Sequence, residues 1–174
     1  MNAEEFKGKV LPVNQKLFQL AFRFLGNVQE AEDAVQEVYL KLWNMRDKLN
    51  EINKVEAFAT TMTKNLCLDK IKARRTVSIE DQFITINNRA SVNDNPLEIS
   101  ENKENFNLVK RIIDSLPEQM KSIMIMRDLE EYSFEEIQEI TGLTMNNIRV
   151  SLSRARQQVR TELTKVHEYG IKRN

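Results

Sequence analysis

The sequence has very few of the residues that build covalent or catalytic sites. Cys67 is its only cysteine and His167 its only histidine among 174 residues. A single cysteine excludes an internal disulfide and any metal site made of paired thiols. A nucleophile–base pair would depend on His167, which lies near the end of the sequence, and a glycine-rich phosphate loop is absent. The sequence therefore indicates a protein that catalyses nothing and needs no cofactor.

Turn-forming residues and long apolar runs are also scarce. With four glycines and three prolines, a turn-rich β architecture is disfavoured. No run of about 18 apolar residues is present, so no membrane span is predicted. The first six residues carry Glu4 and Glu5 where a signal peptide would carry basic residues. We expect a cytoplasmic protein with no direct membrane insertion and no small-molecule substrate.

Charge divides the chain into three parts. Residues 1–75 hold 13 basic and 10 acidic residues, a net charge of +3, and residues 105–174 hold 11 and 10, a net charge of +1. The intervening residues 76–104 hold 2 and 6, a net charge of −4, and are polar and aperiodic around 87–96. This pattern predicts two domains joined by an acidic flexible linker. The sequence does not assign a role to four apolar linker residues, which could be buried locally or dock on a partner: Ile79, Phe83, Ile84 and Ile86.

Helical signals dominate the first part. An apolar helix ends at Gly26, after which Asn27 suits an N-cap with Glu30 as its capping-box partner. Apolar residues then recur at helical spacing: Ala31, Ala34, Val35, Val38, Leu42, Met45 and Leu49. A further helix is predicted from about Lys54 to Arg75. Together with the third part, described next, this predicts an all-α fold whose N-terminal domain is a helical bundle.

The third part contains the strongest local motif. Ser133 and Glu136 form a capping box, and Gly142 suits the left-handed residue that ends a helix. Thr144 starts a second helix within about three residues, so the two helices must cross steeply. This is the geometry of a helix-turn-helix domain.

The second helix of this motif has an apolar and a polar side. Ile148, Leu152, Ala155 and Val159 are spaced to face inward. The polar residues predicted to bind duplex DNA are Asn146, Asn147, Arg149, Ser151, Ser153, Arg154 and Arg156. Those in the N-terminal half are the better candidates for base edges, whereas Arg156 suits a phosphate or an internal salt bridge. The alternative interpretation is a solvated amphipathic helix.

The helix predicted after Asn27 has an unusual outward face. Asp33, Gln36, Glu37, Leu40 and Lys41 lie on it, and an exposed leucine beside acids is typical of a partner surface. Acidic residues near a helix N-terminus also suit the helix dipole, so a solvated face explains the pattern equally well.

These residues resemble a known family. Gly26-Asn27 and the run from Ala31 to Trp43 are similar to the second conserved region of sigma factors, above all the extracytoplasmic-function (ECF) group of the sigma-70 family. The resemblance continues in five further stretches: Lys64–Arg75, Leu116-Pro117, Tyr132–Ile137, Ile148-Arg149 and Ser153–Arg156. It covers most of the chain, and the order of the two modules makes it more specific than a lone helix-turn-helix.

The resemblance implies roles for both domains. The face formed by Asp33, Gln36, Glu37, Leu40 and Lys41 would grip the clamp coiled coil of the largest subunit of core RNA polymerase. The stretch from Asn50 to Lys72 would read the −10 promoter element as single-stranded DNA. Its candidate contacts are Asn53, Lys54, Lys64, Asn65 and Lys72. The helix at 144–160 would read the −35 element as duplex, and an anti-sigma factor is an expected partner.

One stretch departs from the family pattern. Where many members carry Trp-Leu-Tyr-Arg, this sequence has Phe58-Ala59-Thr60-Thr61. Single-strand binding usually uses aromatic stacking platforms and cations. This stretch offers fewer of both than the family pattern does.

Three functional hypotheses follow. The first is an alternative sigma factor that binds core polymerase and recognises promoter DNA. The second is a stand-alone helix-turn-helix regulator that acts without polymerase, although no dimerisation element is evident. The third is an interaction protein that keeps the fold but has lost DNA reading.

Overall fold

The structure is a computed structural model that describes residues 2–52, 54–81 and 101–171. Within these ranges every regular element is helical and no strand forms, as predicted. The α-helices are α1 Ala3–Val10, α2 Asn14–Leu25, α3 Val28–Asn44, α4 Val55–Asp81, α5 Glu101–Ser115, α6 Glu118–Met124, α7 Phe134–Thr141 and α8 Met145–Ile171. Two 3₁₀ segments, Leu11–Val13 and Lys48–Glu51, and a π-helical turn, Ile125–Leu129, complete the described elements.

Helices α2, α3 and α4 pack around one apolar core in the N-terminal half. The fully buried side chains include Leu17, Leu20, Val38, Leu42 and Cys67. Burying a leucine side chain contributes about 1.5–3 kcal/mol, so these positions hold the three helices together. The apolar spacing of α3 therefore predicted its inward face correctly.

The junction between α2 and α3 follows from its capping residues. Gly26 has φ 70°, a left-handed conformation, and its N–H donates to the Phe22 carbonyl at 2.8 Å. The Asn27 side chain accepts a hydrogen bond from the Glu30 N–H at 3.0 Å, as predicted. The expected return hydrogen bond, from the Asn27 N–H to the Glu30 carboxylate, does not form, and this carboxylate instead pairs with Arg74 of α4. Long-range ion pairing has replaced half of the capping box.

Helix α4 is longer than the sequence predicts, and α5 begins earlier than the expected linker ends. The residues at 76–81 and 101–104 are helical, so the expected linker at 76–104 is shorter at both ends. The backbone of Ile79 belongs to α4, whereas Phe83, Ile84 and Ile86 lie outside the described residues.

Helices α5 to α8 form the C-terminal half, which contains the predicted motif. The Ser133 and Glu136 capping box is formed in both directions, and Gly142 has φ 71° at the end of α7. The Thr144 side chain accepts a hydrogen bond from the Asn147 N–H at 3.2 Å and so caps α8. Because α7 and α8 are joined by only three residues, α8 is held across α7 in helix-turn-helix fashion.

Candidate functional surfaces

The outward face of α3 is exposed as predicted. Asp33, Gln36, Leu40 and Lys41 are exposed and Glu37 is half-buried. Leu40 is 64% exposed, the largest value among the exposed large apolar side chains of the described residues. Leu40 is not isolated, because Tyr39 and Trp43 line a shallow hollow beside it, and a contiguous apolar patch of this kind is suited to contact with a partner.

Ion pairs fix the acidic centre of this face. Glu37 Oε1 lies 2.8 Å from Lys41 Nζ one turn along α3, and Glu37 Oε2 lies 3.6 Å from Lys70 Nζ of α4. The hydrogen bond from Lys41 lowers the pKa of Glu37, opposed by burial and helped by the charges of both lysines. Glu37 is therefore an ionised carboxylate with two lysine partners.

Three aromatic residues that were not predicted to belong to this face lie beside it: Phe6, Tyr39 and Trp43. Phe6 of α1 packs edge-on against Trp43, with ring centroids 5.2 Å apart, and the two line a shallow hollow with Leu40. Tyr39 borders the same hollow and donates a hydrogen bond to Asn14 Oδ1 at 2.8 Å. Phe6 was missed because α1 lies far from α3 in sequence. The aromatic spacing of Tyr39 and Trp43, four residues apart, was the available signal.

Three of the residues proposed from the resemblance for the −10 element lie on one face at α4. Lys54 immediately precedes the helix, and Asn65 and Lys72 within it follow at intervals that place all three on one side. We call Lys54, Asn65 and Lys72 the α4 stripe. Lys54 pairs with Glu139 of α7, and Lys72 Nζ lies 3.1 Å from Glu118 Oε2 of α6.

The two candidates for the −10 element outside the stripe are Lys64 and Asn53. Lys64 is half-buried beside the stripe, and Asn53 lies outside the described residues. Burial lowers the pKa of Lys64, and the negative charge of Glu118 partly opposes this. The structure thus places four of the five candidates, Lys54, Lys64, Asn65 and Lys72, in or next to α4, where Lys54 and Lys72 pair with acids of the C-terminal half.

The polar side of α8 is largely exposed. Asn146, Asn147, Arg149, Ser153 and Arg154 all have exposed side chains, as the periodicity predicts. These side chains lie on the helix that follows the tight turn, where a helix-turn-helix protein reads base edges.

Ser151 was wrongly assigned to this exposed side. Its side chain is only 8% exposed, and its hydroxyl accepts a hydrogen bond from Gln119 Nε2 at 2.9 Å. The reason is geometric, because Ser151 lies three residues after Ile148 and four before Ala155, which are both buried. Ser151 joins α8 to α6 and does not face outward.

Two arginines of α8 are held by neighbouring groups. The Arg149 guanidinium lies 5.5 Å from the centroid of the Phe134 ring, which Arg127 also approaches, at 4.7 Å. Arg156 makes a bidentate pair with Asp128, at 3.0 and 2.6 Å, and this hydrogen bonding raises the pKa of Arg156. Arg149 is therefore positioned yet open, whereas Arg156 would have to leave Asp128 to reach DNA.

Neither a membrane span nor a metal centre is indicated in the part of the chain that the structure describes. No helix there is long and apolar enough to cross a membrane. No group of three or more histidine, cysteine or acidic side chains is arranged to hold a metal ion in the same ranges.

Two family models match the chain in the order of its two halves. The model for Sigma-70 region 2 matches residues 12–77, and the model for Sigma-70, region 4 matches residues 106–159. The first match covers α2 to α4, including the α3 face and the α4 stripe. The second covers most of α5 and all of α6 and α7, and extends into α8.

Individual proteins are similar over most of the chain. The ECF RNA polymerase sigma factor SigE of Mycolicibacterium smegmatis is 27% identical over 150 residues, covering 86% of this chain and 58% of that protein. The ECF RNA polymerase sigma factor SigW of Bacillus subtilis is 24% identical over 155 residues, covering 85% of this chain and 83% of that protein. The chain thus spans little more than half the length of the first relative and most of the second.

A solved structure has the same fold. It is the sigma factor RpoE in complex with the anti-sigma factor NepR from Bartonella quintana, with a TM-score of 0.67 and 20% identity. The match covers 93% of this chain and 98% of that one, so the likeness includes both helical halves.

Proposed function

We propose that separate surfaces of this chain, which belongs to the sigma-70 family, within its ECF group, bind core RNA polymerase and promoter DNA. The chain is an alternative sigma factor in transcription initiation, and the proposal assigns these two roles to its surfaces. The observation that supports this most is the paired match to regions 2 and 4, at residues 12–77 and 106–159. A stand-alone regulator needs only a helix-turn-helix, whereas the first match covers a second module with its own exposed partner face.

The α3 face is the proposed contact with core polymerase. Asp33, Gln36, Glu37, Leu40 and Lys41 offer charges around an exposed leucine, and Phe6 extends the apolar part. The clamp coiled coil of the largest subunit is the proposed partner, as the resemblance implies. Interface centres are typically apolar with a polar rim, which is how Leu40 and its charged neighbours are arranged.

DNA reading is proposed to be shared between the two domains. Asn146, Asn147, Arg149, Ser153 and Arg154 of α8 would contact the −35 duplex. Lys64, Asn65 and Lys72 of α4, with Asn53 and Lys54 just before it, would contact the −10 strand. Two weak sites on one chain gain affinity through effective concentration once polymerase holds both.

The proposed setting follows from this mode of action. The proposed action consists of binding to polymerase and promoter DNA, without catalysis and without a cofactor. It takes place in the cytoplasm, where polymerase and promoter meet. An anti-sigma factor is proposed as its regulator, because the similar RpoE structure is a complex with one.

The test is a pull-down of the purified chain with bacterial core RNA polymerase, followed by run-off transcription from genomic DNA fragments. We expect core binding and transcripts that start at a shared promoter motif. Charge reversal in the double variant Asp33→Lys and Glu37→Lys should abolish binding. The matched control reverses two other exposed acids, Glu4→Lys and Asp69→Lys, and should bind normally. A folded protein that binds DNA fragments but not core polymerase would favour the stand-alone regulator instead.

A further inference from the structure

Four ion pairs join the two halves of the chain in the same sense. Among the described residues, each of the four takes its cation from the N-terminal half and its acid from the C-terminal half. These pairs are Lys16–Glu136 at 3.3 Å, Arg23–Glu130 at 2.7 Å, Lys54–Glu139 and Lys72–Glu118 at 3.1 Å. We call Glu118, Glu130, Glu136 and Glu139 the acidic face. A chain of zero net charge has thus sorted its charges into two complementary surfaces.

A buried tyrosine lies at the centre of this contact. Tyr132 is 2% exposed, and the Lys16 Nζ lies 4.6 Å from its ring centroid. Burial lowers the pKa of Lys16, but the Glu56 hydrogen bond and the nearby Tyr132 and Glu136 outweigh it and raise that pKa. Lys16 therefore remains a cation between the two halves.

Short side chains on α4 let α7 approach closely. The Thr61 hydroxyl is shared between the Ala57 carbonyl of its own helix, at 2.8 Å, and the Ile140 carbonyl of α7, at 3.1 Å. Thr60 is 1% exposed in the cleft that Tyr132 also lines. Both threonines belong to the Phe58-Ala59-Thr60-Thr61 stretch, which departs from the family pattern. A larger aromatic or cationic side chain at Thr60 would take up space in this cleft.

We infer that the acidic face is an intramolecular docking surface for the α4 stripe, so that the free protein closes on itself and single-stranded DNA competes for the same lysines. The inference rests on the proposed −10 role of Lys54 and Lys72. Glu139 and Glu118 pair with the ammonium groups that DNA phosphates would also need. Closure leaves the polar side of α8 unpaired with the other half while these two lysines are paired.

The contact is suited to reversible closure. Exposed ion pairs contribute little each, so neutralising two of them shifts the equilibrium between closed and open chains about 2- to 30-fold. They are also screened by salt, because the Debye length falls to about 3 Å at 1 M. Polymerase or DNA can therefore open the chain without unfolding either half.

The experiment compares two double variants of the full chain that change net charge equally. Glu118→Gln with Glu139→Gln removes two docking acids, whereas Glu131→Gln with Glu135→Gln removes two exposed acids outside the interdomain ion pairs. Maleimide labels at exposed Gln29→Cys and Thr161→Cys report the distance between the halves. Cys67 is fully buried, and burial raises its pKa to about 12, so it does not compete for label.

We expect the docking variant to lengthen the label distance and to bind a labelled mixed-sequence single-stranded DNA about 2- to 30-fold more tightly than the control variant. Salt raised from about 0.05 to about 0.5 M should lengthen the distance in the unmodified protein as well. A distance that neither salt nor the docking variant changes would overturn the inference. A longer distance with DNA affinity equal to the control would also overturn it, since closure would then shield no DNA site. Core binding and run-off transcription are measured separately, so failure of the proposed function is distinguished from failure of closure.

Discussion

The α4 stripe and the polar side of α8 are both proposed to bind DNA, yet their surroundings differ. Lys54, just before α4, and Lys72 within it are paired with acids from the other half of the chain. Arg149 and Arg154 of α8 remain exposed, and Arg156 is ion-paired with Asp128 of its own half. The contrast teaches that a basic residue on a surface is not by itself an available DNA contact. Whether a basic residue is available to DNA depends on which groups face it in the free protein.

The largest expected effect tests whether the N-terminal and C-terminal halves, which carry these two surfaces, are separate folding units. Leu20→Ala in the N-terminal core and Ile148→Ala in the C-terminal core each remove a side chain that is fully buried. Each should cost about 2–5 kcal/mol of the free energy of unfolding, from lost burial and the remaining cavity. Urea unfolding followed by circular dichroism should show two transitions, with each variant shifting its own. A single transition shifted equally by both would mean that the halves unfold together.

The next effect separates DNA contact from packing on α8. Arg149→Ala should weaken binding to the −35 duplex by about 1–3 kcal/mol if the guanidinium reads a base. Ser151→Ala, two residues away, should leave DNA affinity unchanged and lower stability, since it removes the bond to Gln119. Fluorescence anisotropy with matched and scrambled duplexes measures the DNA affinity of both variants, and urea unfolding measures the stability of Ser151→Ala. An equal Arg149→Ala loss on every sequence would make that residue a phosphate contact.

Local signals were enough to predict most of the fold. Asn27, Ser133 and Gly142 act within a few residues of their partners, so capping rules located the helix ends near them. The exposure of the α3 and α8 faces followed from helical spacing in the same way. Ser151 shows the limit of judging by polarity, because its spacing from Ile148 already indicated the buried side.

The contacts between the halves could not be predicted in this way. Lys54 and Glu139 are 85 residues apart, and no periodic pattern specifies which acid meets which lysine. The same holds for Arg74, which took the Glu30 carboxylate that the capping box was expected to use. Such pairs depend on the packing of whole helices, which a single sequence does not state.

A smaller effect compares the two helix ends that require a left-handed residue. Gly26→Ala and Gly142→Ala should each cost about 1–2 kcal/mol, because both glycines have a positive φ. A Cβ at Gly142 would meet no atom within 4 Å, whereas one at Gly26 would lie 2.6 Å from Lys110 Nζ of α5. Thermal unfolding should therefore show a larger loss for Gly26→Ala. Equal losses would mean that the flexible Lys110 side chain moves aside freely.

The smallest effect is a pH dependence at Glu136, which belongs to both the α7 cap and the acidic face. The hydrogen bond from the Ser133 N–H, opposed by burial and helped by Lys16, lowers the pKa of Glu136 below its ordinary 4.5. A carboxyl whose pKa is lower in the folded state stabilises the fold when ionised. That stabilisation is complete above the unfolded pKa and is lost as pH falls through the folded value. Urea unfolding should therefore show stability falling below about pH 4.5, with a shallower fall in Glu136→Gln. Glu37, whose pKa is also lowered, accounts for part of the remaining slope. An unchanged slope in Glu136→Gln would mean that the cap and Lys16 do not depend on this charge.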